Sequence, residues 1–182
     1  MGDGDLYIHE APRAVWRSVE AHFRRQRGGS KVVRKLIELG IRVAADGRFY
    51  VGDVEISDSA LAKAVGVDRR VVRRVGTQIV RNQELRTIFS NLRPVGPSLV
   101  DVASAFGYSV LTVEADPHKA GILSAVSTAL SKAGILIRQA IADDPDLHPQ
   151  PKLTLVVDGK IPGEVISELY RNPDIKSVTV SK

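Results

Sequence analysis

"SDSALAKAVGVDRRVVRRVGTQIVRN", Ser57 to Asn82, decides how the front of this chain folds. Ser57 or Asp58 is placed to cap a short helix, along which Leu61, Ala62 and Val65 recur at helical spacing. Gly66 breaks that helix, Val67 packs the turn, and Asp68 caps a second helix. A small residue, Ala62, lets two helices approach closely. A glycine four positions on permits a left-handed turn, and an apolar residue six beyond it, Val72, closes the angle. Val65, Val67 and Val75 complete the inward positions, so the spacing predicts a helix-turn-helix.

On a helical wheel that starts at Arg69, Val71, Val72, Val75 and Ile79 fall roughly between 200° and 300°. Arg69, Arg70, Arg73, Arg74 and Arg81 fall roughly between 0° and 140°, with Thr77 among them. Gln78 lies at the edge, and Val80 is the exception that lands in the basic arc. The second helix of a helix-turn-helix enters the DNA major groove, where Arg contacts phosphates or bonds guanine O6 and N7 with both arms. Arg69, Arg70, Arg73, Arg74, Thr77, Gln78 and Arg81 are therefore the expected DNA-binding residues, and double-stranded DNA the expected partner. The competing expectations are RNA or nonspecific nucleic-acid binding and a solvated arginine face, because Arg is also a good helix former. Arg13, Arg17, Arg24, Arg25, Arg27, Lys31, Arg34 and Lys35 are further cations available to phosphates.

Working outward, residues 1–11 read as a frayed terminus, and Pro12 suits the first turn of a helix. Val15, Val19 and Phe23, with Trp16 beside them, give that helix an apolar stripe ending at Gly28-Gly29. Ser30 then caps another helix carrying Val32, Val33, Leu36, Ile37 and Leu39, with Gly40 at its end. In "IRVAADGRFYVGDVEIS", Asp46-Gly47 between Ile41/Val43 and Phe49/Val51 is a hairpin signal, which serves either as a wing or as a spacer. After Asn82, "ELRTIFSNL" reads as a short helix. Prolines, glycines and a change of charge sign mark a junction between Arg93 and Tyr108, with a small helical piece up to Gly107.

Beyond it the rhythm changes. "SVLTVEA" alternates as a strand, a helix with Ile122, Val126, Ala129 and Leu130 on one face runs to Gly134, and "ILIRQAIA" is a second strand. "DDPDLHPQP" is an acidic loop, "KLTLVV" a third strand, "PGEVISELYRN" a helix with Pro162 in its first turn, and "IKSVTVS" a fourth strand. The order βαββαβ predicts a ferredoxin-like sandwich, one antiparallel sheet with two helices on one face. The expected fold class is α+β. Residues 12–93 form a mostly helical helix-turn-helix domain with a short β-hairpin, 94–108 a linker with a short helix, and 109–182 the sandwich.

The stretch "EADPHKAGILSAVSTALSKAGILIRQA" resembles an ACT domain, the small regulatory module of amino-acid metabolism. It carries Asp116 after the first strand, Gly121-Ile122-Leu123 opening a helix, and Gly134-Ile135 opening the next strand. A helix-turn-helix joined to such a domain is similar to a family of predicted archaeal regulators of amino-acid metabolism, over nearly the whole chain. The resemblance implies a homodimer through the ACT-like domain and an amino-acid effector held by the loop of Asp116, Pro117, His118, Lys119, Ala120, Gly121, Ile122 and Leu123. Asp116 is the group for an α-amino function, and Lys119 or His118 for a carboxylate. Two positions depart from the family pattern: Ala120 stands where many members have proline, and Leu136 where many have a polar asparagine. With Leu136 there, either the ligand is apolar or the domain only dimerises.

Composition bounds the alternatives. The 182 residues include no cysteine, which excludes disulfides and thiolate chemistry. Residues 1–95 hold 18 Lys and Arg against 11 Asp and Glu, and residues 96–182 hold 8 against 10. This asymmetry suggests a polyanion-binding front half. The chain has no apolar run long enough for a membrane span and no basic-then-apolar leader, so a cytoplasmic protein is expected. His9 and His22 stand without partners at metal-ligand spacing, and Asp143, Asp144 and Asp146 read as a solvated loop rather than a cation site. No phosphate loop, nucleophile elbow or HExxH is present, so neither an enzyme nor a resident cofactor is expected. The expected function is a DNA-binding transcriptional regulator of amino-acid metabolism. The alternative is a regulatory subunit that binds an amino-acid biosynthetic enzyme and not DNA.

Overall fold

In the computed structural model, residues 15–181 are described. The expectations placed on His9, Pro12, Arg13 and the frayed terminus lie outside the described residues. The chain is an α+β protein with two antiparallel sheets, and it divides into two compact units between Gly96 and Pro97.

The first unit runs α1 (Val15–Phe23), α2 (Arg27–Glu38), β1 (Arg42–Val43), β2 (Phe49–Val51), β3 (Val54–Ile56), α3 (Asp58–Val65), α4 (Arg69–Arg81) and α5 (Gln83–Phe89). Its core gathers Val19 and Phe23 from α1, Val32, Val33 and Leu36 from α2, Phe49 from β2, Leu61 from α3, Val72 and Ile79 from α4, and Leu85 and Phe89 from α5. Burying a side chain of this size stabilises the fold by roughly 1.5–3 kcal/mol each, which is why apolar periodicity selects these helices.

Two local expectations change. Gly28-Gly29 does not stop the first helix: α1 ends at Phe23, and both glycines lie inside α2. Their role is close packing, since a Cβ on Gly28 would sit 3.2 Å from Val71 and one on Gly29 3.1 Å from Phe23. Ser30 is accordingly not the cap of α2; its hydroxyl donates to the Phe23 carbonyl at 3.0 Å, tying the two helices together. The hairpin around Asp46-Gly47 pairs Val43 with Phe49, and a third strand, Val54–Ile56, extends it.

The Ser57–Asn82 stretch folds through its capping residues. The Ser57 hydroxyl accepts from the Ala60 N–H, so Ser57 rather than Asp58 is the cap of α3. Gly66 ends α3 at φ +69°, a left-handed conformation that costs an L-residue roughly 1–2 kcal/mol. The Asp68 carboxylate then accepts the Arg70 N–H at 2.7 Å and opens α4.

The second unit begins with a 3-10 helix (Val100–Phe106) and continues β4 (Tyr108–Ala115), α6 (Ile122–Lys132), β5 (Ile137–Ala142), β6 (Lys152–Asp158), α7 (Gly163–Leu169) and β7 (Ile175–Ser181). Pro162 precedes α7 as its N-cap rather than standing inside the first turn. The four strands lie in the order β5-β6-β4-β7, every neighbouring pair antiparallel. Leu111, Val113, Leu153, Leu155 and Val157 share one face by the two-residue period of a strand. Val126 and Leu130 of α6 and Val165 and Leu169 of α7 pack against that face. On the opposite face Val110 and Val156 are covered by Ala103 of the 3-10 helix. No helix among the described residues is long and apolar enough to cross a membrane.

Candidate functional site

The first candidate surface is α4. Val72, Val75, Gly76 and Ile79 are buried, and Val71 and Val80 are half-buried against the same core. Val80, the apparent exception on the wheel, is accommodated because α5 and the core close over that end of the helix. With these residues inward, Arg69, Arg70, Arg73, Arg74, Thr77 and Arg81 are exposed. Gln78, at their edge, is half-buried. It accepts from the Gln26 amide at 3.2 Å and donates to the His22 carbonyl at 3.4 Å, joining α4 to the corner between α1 and α2.

Thr77 donates its hydroxyl to the Arg73 carbonyl one turn back. Arg73 pairs with Asp58 at 3.2 Å while its side chain stays 71% exposed. An ion pair this open contributes about 0–1 kcal/mol and is easily exchanged. Among the described residues no ion pair engages Arg69, Arg70, Arg74 or Arg81.

The β1–β2 hairpin is fixed against this helix. A Cβ on Gly76 would lie 2.5 Å from the Gly47 carbonyl oxygen, so only glycine lets the hairpin tip rest on α4. Behind the tip, Arg48 pairs with Asp46 at 2.9 Å and Glu55 at 3.3 Å. The Asp46 carboxylate, with Glu55 next, holds the Arg48 guanidinium above its ordinary pKa. Sequence periodicity carries no sign of this contact; Gly76, a glycine inside an otherwise strong helix, was its one visible trace.

The second candidate surface is a cleft of about 250 Å³ in the second unit. Asp116, Lys119, Gly121, Ile122 and Leu123 form one wall, whereas His118 and Ala120 are exposed and not part of it. The Asp116 carboxylate accepts the His118 N–H at 3.0 Å, which shapes the loop into a tight turn. Gly121, at φ +94°, leads into α6 without a side-chain cap, so the first N–H groups of that helix point toward the loop.

The opposite wall is Ala142, Asp143, Pro145, Pro151 and Leu153, with Lys152 at its edge. Most of it comes from the proline-rich loop that reads in sequence as a solvated segment. Asp143 accepts the Lys152 N–H and Asp144 the Asp146 N–H, so these carboxylates order their own loop. Among the described residues no group of three or more His, Asp or Glu side chains is placed to hold a metal. At the cleft's edge Glu114 and Lys152 pair at 2.8 Å across neighbouring strands. The hydrogen bond and charge of Lys152 hold Glu114 below the usual carboxylate range, and Glu114 in turn raises Lys152.

Neither a family model nor a curated protein matches this chain. A solved structure titled "Crystal structure of PH0061" is similar over 85% of this chain and 89% of its own, with 14% identity and a TM-score of 0.28.

Proposed function

We propose that the protein is a transcriptional regulator in which a helix-turn-helix binds duplex DNA and an ACT-like sandwich dimerises and senses an amino acid. The observation that carries the proposal is the two-sidedness of α4. Four buried residues fix its rotation, and the arginines on the opposite side point to solvent. Several features support a helix-turn-helix. The Ser57-capped α3 and Asp68-capped α4 are joined by only three residues, one of them the left-handed Gly66, and Ala62 of α3 is buried in the core. A groove lined by Arg70, Arg74, Thr77 and Arg81 offers cations and a hydroxyl at the spacing of helical turns, which suits a phosphate backbone and base edges.

The strand order β5-β6-β4-β7, with both helices on one face, supports the ferredoxin-like reading of the second unit and with it the ACT-like assignment. The cleft there has Val113, Ile122, Leu123 and Leu153 as apolar lining, together with Lys119 and Lys152. That chemistry favours an amino acid with an apolar side chain, its carboxylate toward Lys119 and the start of α6. Such an effector changes DNA affinity by binding the DNA-competent dimer and the other state with different strengths.

The test of the first assignment is the variant in which Arg69, Arg70, Arg73 and Arg74 are all Ala. Duplex binding is lost and the dimer is retained; full duplex retention by that variant refutes the assignment. For the second unit, apolar amino acids raise the melting temperature in a screen of all twenty. A screen with no shift refutes the sensor role.

A further inference from the structure

The two flanks of α4 differ in charge. On one flank lies a cleft lined by Asp46, Glu55 and Asp58 together with Arg48, Arg69 and Arg73, three carboxylates against three guanidiniums. Arg48 and Arg73 are paired there with carboxylates within 3.3 Å. On the other flank Arg70, Arg74 and Arg81 line a groove with Gln78 and Asn82 and no acidic residue; Arg73 and Thr77 border both flanks. That groove is bounded by Gln78, whose amide meets Gln26.

Gln26 stands in the corner between α1 and α2, flanked by Arg24, Arg25 and Arg27, all three exposed and without an ion pair among the described residues. The corner is held close, because the Gln78 amide also reaches the His22 carbonyl and Gly28 packs on Val71. The Glu84 carboxylate is bonded to Ser18 and His22 of α1.

A phosphate beside the first flank meets charges that sum to zero, whereas the groove on the second flank presents cations and no carboxylate. Resting on the DNA-binding reading above, we propose that the duplex backbone is taken up on one side of α4 only. The phosphates follow Arg70, Arg74 and Arg81 and continue across the Gln26–Gln78 seam onto Arg24, Arg25 and Arg27, while Arg69, beside the carboxylates, and Arg73, paired with Asp58, take none. The α1–α2 corner is thus a second DNA-contacting element, and the hairpin side of α4 faces bases or solvent rather than backbone.

The experiment is duplex affinity of the full chain measured across a salt series, where each lost phosphate contact lowers the slope of log K against log salt by about 0.9. The triple variant Arg24→Ala, Arg25→Ala, Arg27→Ala lowers the slope by about two or more, with its melting temperature checked against the parent. Lysine at the same three positions restores the slope, because phosphate capture needs the charge and not the fork. Arg74→Ala alone lowers the slope by about one, and Arg73→Ala leaves it unchanged. A smaller drop for the triple variant, or an equal drop for Arg73 and Arg74, overturns the one-sided track. Should the triple alanine variant fail to fold, the contrast between Arg73 and Arg74 decides alone. A parent protein with no duplex affinity overturns the DNA-binding reading itself, whereas a parent that binds with a steep slope insensitive to the corner overturns only this inference.

Discussion

The arginine face of α4 and the cleft beside α6 are built in opposite ways. Every exposed residue of α4 has its direction set by buried residues of the same helix: Val72, Val75 and Ile79 hold one side in the core, so the angle of each arginine follows from the helical repeat. The cleft has no such internal reference. One wall hangs on a turn closed by Asp116 and a left-handed Gly121, and the other arrives from a loop about 25 residues further along the chain. A site on a regular element inherits its geometry from periodicity, whereas a site between loops depends on where two segments meet.

The largest expected effect attacks the reference that α4 relies on. Ile79→Ala empties a fully enclosed position and destabilises the first unit by about 2–5 kcal/mol, read as a lower urea midpoint. If the arginine face depends on that packing, duplex affinity falls with it near the new midpoint and is unchanged well below it. Next, Gly76→Ala tests the hairpin contact. Alanine ordinarily stabilises a helix interior relative to glycine, but here its Cβ meets the Gly47 carbonyl at 2.5 Å. The expected result is a loss of about 1–3 kcal/mol. A gain in stability would show that the hairpin does not bear on α4.

Gly121→Ala probes the loop-built site in the same way, and the cause differs. Nothing lies within 4 Å of the added methyl, so only the backbone conformation at φ +94° opposes it. The cost is about 1–2 kcal/mol, and the wall carrying Ile122 and Leu123 shifts, so amino-acid binding weakens more than folding does. The smallest effect is electrostatic. Glu114 has a lowered pKa in the fold, so its contribution is present above the ordinary carboxylate pKa and fades as pH falls through the lowered one. Lys152 is raised, so its contribution is present below the ordinary lysine pKa and fades as pH rises through the higher one. Lys152→Gln moves the Glu114 titration, followed by carboxyl NMR, back up toward its ordinary position.

How much of this was legible in the sequence follows the same division. The cap Asp68, the turn at Gly66 and the inward valines of α4 were readable because each is a local rule with a fixed offset, whereas the cap of α3 was narrowed only to Ser57 or Asp58. Gly28-Gly29 reads as a helix end but lies inside α2, for an equally physical reason. Glycine pairs signal a helix end when backbone freedom decides, but here Phe23 and Val71 approach so closely that a missing side chain decides instead. The strand Val54–Ile56 was too short to show alternation. Gln78 sat at the margin of the arginine arc, and only Gln26, more than fifty residues earlier, assigns it to the seam. Likewise Pro145 and Pro151 gave no sign that their loop would wall the cleft, since that depends on the pairing of β5 with β6.

The most direct test of the central claim is residue-resolved NMR of the intact protein titrated with duplex DNA. The account predicts that side-chain and amide signals of Arg70, Arg74, Thr77 and Arg81 shift on binding while those of the buried Val72 and Ile79 move little. Perturbation confined to the second unit, or no perturbation of α4 at saturating duplex, would contradict it.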